Sequence, residues 1–161
     1  MDEGVTIRQA TIADIEVLLD HRVAMFQDMG FTDPQALDEV RATSRPYFET
    51  ALPANGYVAW LAEAGGEVVA GAGVVLSAWP GGPWDGQSRR AWILNVYTAP
   101  AWRRRGLARR LMEVVLDWCR SERFRIVSLH ASAEGRRLYT AMGFKPTNEM
   151  RLTPGTETSR D

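Results

Sequence analysis

The most informative stretch of this sequence is Arg103-Arg104-Arg105-Gly106-Leu107-Ala108, which lies between a predicted strand and a predicted amphipathic helix. The first turn of a helix has unpaired N–H groups and the positive end of the helix dipole. Gly106 has no Cβ, so an anion can approach the backbone closely at this position. The stretch therefore predicts a phosphate-binding site, and a solvated basic helix start is the alternative interpretation.

Five arginines lie between Arg103 and Arg110, with no acidic residue among them. The whole chain has a formal net charge of −1, which argues against a dedicated nucleic-acid-binding protein. No P-loop ending in Gly-Lys-Ser/Thr is present, and Gly71-Ala72-Gly73 lacks the third glycine of a dinucleotide fingerprint. That glycine pair is instead typical of a β-bulge or a close backbone contact. A compact basic patch of this kind suits a single pyrophosphate.

Composition places the chain among globular proteins of about one domain. It has 161 residues, of which 45% are hydrophobic and 24% charged. One cysteine, Cys119, and two histidines exclude a disulfide framework and a Cys-rich zinc site, so we expect no metal and a reducing, cytoplasmic location. The acidic residues Asp2 and Glu3 precede any apolar run, whereas a secretory signal carries positive charge there, so no secretory signal is predicted. The longest uncharged run, Val68–Trp84, is interrupted by glycines and prolines, so no membrane span is predicted.

Hydrophobic periodicity and turn residues predict an α+β fold. A strand, a helix and a second strand in succession imply a parallel pair with a right-handed crossover. We expect one domain over residues 1–152, with a mixed twisted sheet flanked by helices on both faces, and a frayed polar tail over residues 153–161. The predicted strands are Val5–Arg8, Tyr57–Glu63, Glu67–Ser77, Trp92–Thr98, Ile126–His130 and Asn148–Leu152, and the predicted helices begin at Thr11, Asp33, Gly106 and Ser132.

Three segments together carry a family resemblance. They are the signature Arg103-x-x-Gly106-x-Ala108, the preceding segment Val96–Trp102, and the later segment Leu138-Tyr139-x-x-Met142-Gly143-Phe144. In this order and spacing they resemble the GNAT family of acyl-CoA N-acyltransferases. The resemblance covers residues 90 to 152, whereas residues 1 to 80 match only in the order of their elements.

The resemblance implies that acetyl-CoA, or coenzyme A, binds as cosubstrate. The pantetheine arm would lie beside the strand before the signature, and the pyrophosphate would lie on backbone N–H groups at the start of the following helix. Ser132 occupies a position where relatives often carry asparagine, although a helix N-cap is the interpretation that its sequence context favours. The cofactor-binding residues implied in this way are Val96, Tyr97, Thr98, Arg103, Arg104, Arg105, Gly106, Leu107, Ala108, Arg109 and Ser132.

Tyr139 is the catalytic residue that the resemblance implies, placed near the thioester sulfur as a general acid. A phenol has a pKa of about 10 and a thiol about 8.5, so complete proton transfer is uphill by about 2 kcal/mol. Donation of a hydrogen bond to the developing thiolate avoids this cost and is the expected role. A buried tyrosine with a satisfied hydroxyl is the alternative.

The sequence does not identify the general base. The family often uses a glutamate or an ordered water at the strand before the signature, but this chain has Asn95 there, which cannot take a proton. Asn95 could orient a water molecule, or its role could be purely structural. His130 is chemically able to act as a base, although a hydrogen-bonded core histidine is the more common arrangement.

The acceptor is poorly specified. The apolar patch from Met25 to Phe31 suits core packing between helices, a pocket wall or a lid. Trp79, Trp84 and Trp92 suit plain packing, an acceptor pocket or the interface of a homodimer, while acidic residues near Asp33 could attract a cationic amine. We expect a small-molecule or peptide amine acceptor, and no nucleic-acid or membrane partner.

The predicted function is transfer of an acetyl group from acetyl-CoA to a primary amine by direct attack in a ternary complex. Cys119 falls on a buried helix face, so an acyl-enzyme is not predicted. The first rival is a non-catalytic module that binds coenzyme A or a polyanion through the Arg103–Arg110 cluster. The second rival is a sensor that binds coenzyme A without turnover.

Overall fold

A computed structural model of the chain describes residues 4–155. The chain forms two compact units, one that ends at His130 and one that begins at Ala131. Each unit is described by itself below. The predicted domain boundaries, 1–152 and 153–161, stay a prediction.

The described part of the first unit, residues 4–130, contains five strands and three α-helices. Short 3₁₀ turns precede the first and third helices, at Ile12–Asp14 and Pro100–Trp102. The strands are β1 (Val5–Gln9), β2 (Tyr57–Ala64), β3 (Glu67–Ala78), β4 (Arg89–Thr98) and β5 (Val127–Leu129), and the helices are α1 (Ile15–Asp28), α2 (Pro34–Ala51) and α3 (Leu107–Ser121).

The strands form one mixed sheet in the order β1-β2-β3-β4-β5. The first four are antiparallel neighbours, whereas β5 returns parallel to β4 after the α3 crossover. The tight turn between β2 and β3 is made by Gly65 and Gly66, both with positive φ, as the sequence predicts. The α+β fold and the mixed sheet are therefore confirmed.

Helices cover both faces of the sheet. Successive strand residues point to opposite faces, so Tyr57 and Leu61 of β2 lie on one face and Trp60 on the other. Tyr57 and Leu61 join one buried cluster with Leu19 of α1 and residues of α2. Trp60 meets Trp118 of α3, with ring centroids 5.5 Å apart. The core is therefore two layers separated by β2 and β3.

The 3₁₀ turn that leads into α1 begins with a capping box. The Thr11 side chain accepts a hydrogen bond from the backbone N–H of Ala13, and Asp14 accepts one from the backbone N–H of Thr11. Both Nη atoms of the Arg8 guanidinium donate to the Asp14 carboxylate, each at 2.8 Å. These contacts lower the pKa of Asp14 to about 2. The predicted cap at Thr11 is thus confirmed.

Between residues 131 and 155, the described part of the second unit, there is one helix, α4 (Ala133–Ala141). Ser132 caps it by accepting a hydrogen bond from the Gly135 N–H at 3.1 Å, and Gly143 follows it with a φ of 95°. The predicted strand Asn148–Leu152 is wrong, because these described residues form no strand. Of the predicted tail, Thr153–Gly155 contains a turn and residues 156–161 lie outside the described part.

Two general properties bear on function. No helix within residues 4–155 is long and apolar enough to cross a bilayer. The same residues contain no group of three or more His, Cys, Asp or Glu side chains placed to hold a metal ion.

Candidate active site

A bulge in β4 is the central feature of the site. Gly71 pairs with Tyr97 and Gly73 pairs with Leu94, so between these pairs β4 has one residue more than β3. Asn95 lies within this extra segment with a φ of 57°, a left-handed conformation that asparagine tolerates better than most residues. The predicted bulge near the glycine pair is therefore present, and its extra residue belongs to the neighbouring strand.

The bulge coincides with the point where β4 and β5 separate. Their parallel pairing runs from Ala91 to Ile93 of β4 and ends there, although β4 continues to Thr98. Over residues 94–98 this edge of β4 has no paired strand within the described part of the chain. Unpaired N–H and C=O groups on a strand edge are a ready template for another extended polar chain.

A glycine lets a buried tyrosine reach the bulge. A Cβ on Gly73 would lie 2.0 Å from the Tyr57 hydroxyl oxygen, so no larger residue fits there. The Tyr57 hydroxyl accepts a hydrogen bond of 2.9 Å from Nδ2 of Asn95. Complete burial raises the pKa of Tyr57 to about 12, so the phenol stays neutral at physiological pH.

Arg22 completes this network from helix α1. Its Nη1 donates to Oδ1 of Asn95 at 2.7 Å, and its Nε donates to Oγ of Ser44 in α2 at 3.0 Å. The guanidinium also lies 5.1 Å from the ring centre of Phe26. Asn95, only 7% exposed, therefore has both ends of its amide held by protein groups.

The charge of Arg22 has no carboxylate partner within the described residues. Its hydrogen-bond partners are a hydroxyl and an amide, and the charge-capable groups that act on it are the phenols of Tyr57 and Tyr47. Burial lowers the pKa of Arg22, but a guanidinium stays protonated in proteins. The network thus holds an uncompensated positive charge beside the bulge.

The loop between β4 and α3 presents the backbone of the helix start. Arg104 and Gly106 both have positive φ, at 62° and 79°. Gly106 is the N-cap, and no side chain caps the first turn of α3. The N–H groups of that turn are consequently available to an anion, as the sequence predicts.

Several of the clustered arginines are engaged with the protein. Arg103 pairs with Asp28 at the end of α1, and its Nε donates to the Thr98 carbonyl at 2.9 Å. Arg105 lies over the Trp102 ring at 4.7 Å, and Arg109 pairs with Glu113 at 3.8 Å. Arg103 therefore fixes the loop against the end of β4, and its charge is already balanced.

Tyr139 lies in α4 of the second unit and is 9% exposed. Its ring packs over Gly135, where a Cβ would lie 2.7 Å from the ring edge, and its centroid is 5.9 Å from that of Phe144. No hydrogen bond joins the Tyr139 hydroxyl to another described residue, and the hydroxyl is not a buried unpaired atom, so it is open to solvent. Burial raises the pKa of Tyr139, which keeps it a hydrogen-bond donor.

The remaining titratable candidates differ from the sequence-based expectations. His130 is exposed and stacks on Trp92 with ring centroids 5.0 Å apart, so the expected core histidine is wrong. His21 is the buried histidine instead, 4.8 Å from the Tyr97 ring, and burial lowers its pKa to about 4. Cys119 is buried as expected, and burial raises the pKa of its thiol to about 11.

Four of the large apolar residues considered for the acceptor side are exposed over about half or more of their surface. Met29 and Phe31, after the end of α1, are each more than half exposed, so they do not pack between helices. Trp84 is 75% exposed, and Trp79 lies under the Arg90 guanidinium at 3.8 Å. Plain core packing does not describe these four side chains.

Sequence reasoning missed Arg22, Ser44 and Tyr57. One signal was present, because Arg22 follows Leu18 and Leu19 by four and three positions and therefore shares their buried helix face. An arginine on an apolar stripe needs polar partners. The partners themselves are distant in the chain, and Asn95 is 73 positions away.

Comparison with known proteins shows which family the chain resembles. The family model described as the acetyltransferase (GNAT) family matches residues 15–144. A comparison with curated proteins finds no match.

Solved structures match over nearly the whole chain. A GCN5-related N-acetyltransferase from Ralstonia eutropha JMP134 is 32% identical, with a TM-score of 0.86, over 93% of this chain and 98% of that one. A predicted acetyltransferase from Clostridium acetobutylicum, crystallised with acetyl-CoA, is 25% identical, with a TM-score of 0.84, over 97% and 99%. A glucosamine-6-phosphate N-acetyltransferase from Arabidopsis thaliana, 18% identical with a TM-score of 0.67 over 96% and 100%, shows the fold alone.

Proposed function

The chain belongs to the GNAT acetyltransferase family, and from this premise we propose that it transfers an acetyl group from acetyl-CoA to a primary amine by direct attack in a ternary complex. The relative crystallised with acetyl-CoA supports acetyl-CoA as the cosubstrate. The observation that carries the proposal is the unpaired edge of β4 from Leu94 to Thr98, which leads directly into the α3 loop.

Acetyl-CoA would lie along this edge. The amides of its pantetheine arm would pair with the backbone of Val96, Tyr97 and Thr98, as a further strand would. Its pyrophosphate would lie on backbone N–H groups of residues 104–109, while the ion pair of Arg103 with Asp28 holds the loop in place. Ser132 uses its oxygen as a helix cap, and its contact with the cofactor stays a prediction.

Tyr139 would stabilise the leaving thiolate. Its pKa lies above the ordinary phenol value, so proton transfer to a thiolate costs more than the about 2 kcal/mol expected for unperturbed groups. A hydrogen bond from the neutral hydroxyl to the developing charge avoids this cost. The hydroxyl has no hydrogen bond to another described residue and is open to solvent, which supports this role.

Deprotonation of the amine would not need a side-chain base. Asn95 cannot accept a proton, Tyr57 is neutral, and His21 is a weak base because burial lowers its pKa to about 4. The positive charge of Arg22 beside the bulge disfavours the ammonium form of a nearby amine. Solvent would then take the proton, and Asn95 would act as a positioning residue between Arg22 and Tyr57.

Direct attack is favoured over an acyl-enzyme. The single thiol of the chain, Cys119, is 1% exposed and lies on the core face of α3. Burial raises its pKa to about 11, so the nucleophilic thiolate is scarce at neutral pH. Proximity within the ternary complex supplies the main rate effect instead.

A thermal-shift titration with acetyl-CoA tests the cosubstrate, with ATP and NAD as controls. Ligand at 100 times its Kd stabilises a protein by about 2.7 kcal/mol. We expect a shift with acetyl-CoA alone, followed by thiol release when a suitable amine is added. A shift with all three compounds would favour the polyanion-binding module, and a shift without thiol release across an amine panel would favour the sensor.

A further inference from the structure

We infer that Arg22 determines acceptor specificity by binding an anionic group, a carboxylate or a phosphate ester, on the amine substrate. The inference rests on the proposed function and deepens it. It concerns the substrate class, for which the β4 edge and the α3 loop carry no information.

The first argument is the unusual isolation of this charge. Several other arginines have carboxylate partners, as in the pairs Arg8–Asp14, Arg41–Asp20 and Arg45–Glu16, whereas an arginine without one in the described part of the chain, such as Arg105, is exposed to water. Arg22 is more deeply buried than Arg8 and Arg45, yet its two partners are the neutral groups of Ser44 and Asn95. Burial of an unpaired charge is costly, so a function that supplies the missing anion explains its retention.

The second argument is geometric. Nε and Nη1 of Arg22 are fixed by Ser44 and Asn95, which orients the planar guanidinium. Nη2 has no hydrogen bond to any described residue, so the fork retains donors for an oxyacid. A guanidinium already held by two hydrogen bonds loses little freedom when it binds a carboxylate or phosphate.

The third argument concerns which ligand supplies the anion. Under the proposed function the coenzyme A pyrophosphate lies at the start of α3, beyond Thr98. Asn95, the partner of Arg22, lies in the bulge at the opposite end of the unpaired edge. An anion at Arg22 therefore comes from the acceptor, and the acceptor is an acidic amine such as an amino acid or an aminated phosphate ester.

Matched acceptor pairs test the inference. Each α-amino acid is compared with its α-amide, and O-phosphoethanolamine with ethanolamine, by kcat and KM for thiol release. We expect the wild type to favour the charged member of at least one pair by about 10- to 100-fold in kcat/KM, mainly through KM. The two arms distinguish a carboxylate from a phosphate.

Three variants assign the preference to Arg22. Arg22→Gln should abolish it while leaving the Kd of acetyl-CoA within about twofold, and Arg22→Lys should retain part of it through charge alone. Arg45→Gln, which removes an exposed arginine paired with Glu16, should leave it unchanged. A wild type without preference for charged acceptors would overturn the inference, whether or not the variants fold.

Two further results would also decide against it. An equal loss of kcat for charged and neutral acceptors in Arg22→Gln would mean that Arg22 acts on the thioester. If no amine is acetylated, the amine-transfer proposal fails separately, and thermal shifts in the presence of coenzyme A become the readout. Anion binding at Arg22 would then be refuted if the charged acceptors stabilise the wild type no more than the matched neutral acceptors do.

Discussion

Tyr57→Phe is the substitution that probes the bulge most cleanly. The change removes one oxygen, and that oxygen accepts a 2.9 Å hydrogen bond from the buried amide of Asn95. An unsatisfied buried donor costs about 1–3 kcal/mol. With a urea slope of about 2 kcal/mol per M, the unfolding midpoint should fall by about 0.5–1.5 M.

A double-mutant cycle with Asn95→Gly isolates the hydrogen bond. Glycine adopts the φ of 57° without strain, so this variant removes the amide but keeps the bulge backbone. Without the amide, Tyr57→Phe should cost about 1 kcal/mol less than in the wild type. Tyr47→Phe serves as control, because its hydroxyl has no hydrogen bond to a described residue. Equal costs of Tyr57→Phe in both backgrounds would refute the proposed network.

Three further predictions concern catalysis, the loop between β4 and α3, and pH. Tyr139→Phe should lower kcat by about 100-fold and leave the Kd of acetyl-CoA unchanged, as steady-state kinetics and calorimetry would show. Gly106→Ala should cost about 1–2 kcal/mol, because Gly106 has a φ of 79°, and should weaken acetyl-CoA binding, whereas Gly86→Ala should do neither. His21, whose folded pKa of about 4 lies below the ordinary 6.5, stays neutral while the unfolded chain gains a proton. The free energy of unfolding therefore keeps the contribution of neutral His21 above pH 6.5 and loses it, by about 3 kcal/mol at most, as the pH falls towards 4. His21→Gln should flatten this part of the pH profile of stability measured with urea.

Local signals explain how much of the fold the sequence predicts. Gly65-Gly66 specifies a tight hairpin, Pro34 begins α2 after the Asp33 cap, and Gly106 marks the start of α3. Each of these signals acts within a few residues of itself. The elements that they bound were therefore predicted to within a few residues.

The predicted strand at Asn148–Leu152 failed for the opposite reason. Its alternating apolar residues, Met150 and Leu152, are 95% and 84% exposed, so neither is buried against a layer. A five-residue strand depends on a pairing partner more than on its own sequence. Periodicity alone cannot supply that partner.

The candidate site also contains one part set by local sequence and one part set by contacts between distant residues. The start of α3 after the loop was predictable because the backbone conformation there is set by adjacent residues such as Gly106. The network of Arg22, Ser44, Asn95 and Tyr57 was not, because it joins four separate elements through side chains. Helical spacing places Arg22 on the buried face of α1, but the sequence does not show which distant polar groups pair with it.

Mass spectrometry of the acceptor tests the central claim most directly. The purified protein is incubated with acetyl-CoA and a panel of charged and neutral amines, with Tyr139→Phe as the matched control. We predict a protein-dependent acetyl adduct on the nitrogen of at least one amine, formed much more slowly by the variant. Acetyl-CoA binding without an N-acetylated product, or a product formed equally fast by Tyr139→Phe, would contradict the proposed mechanism.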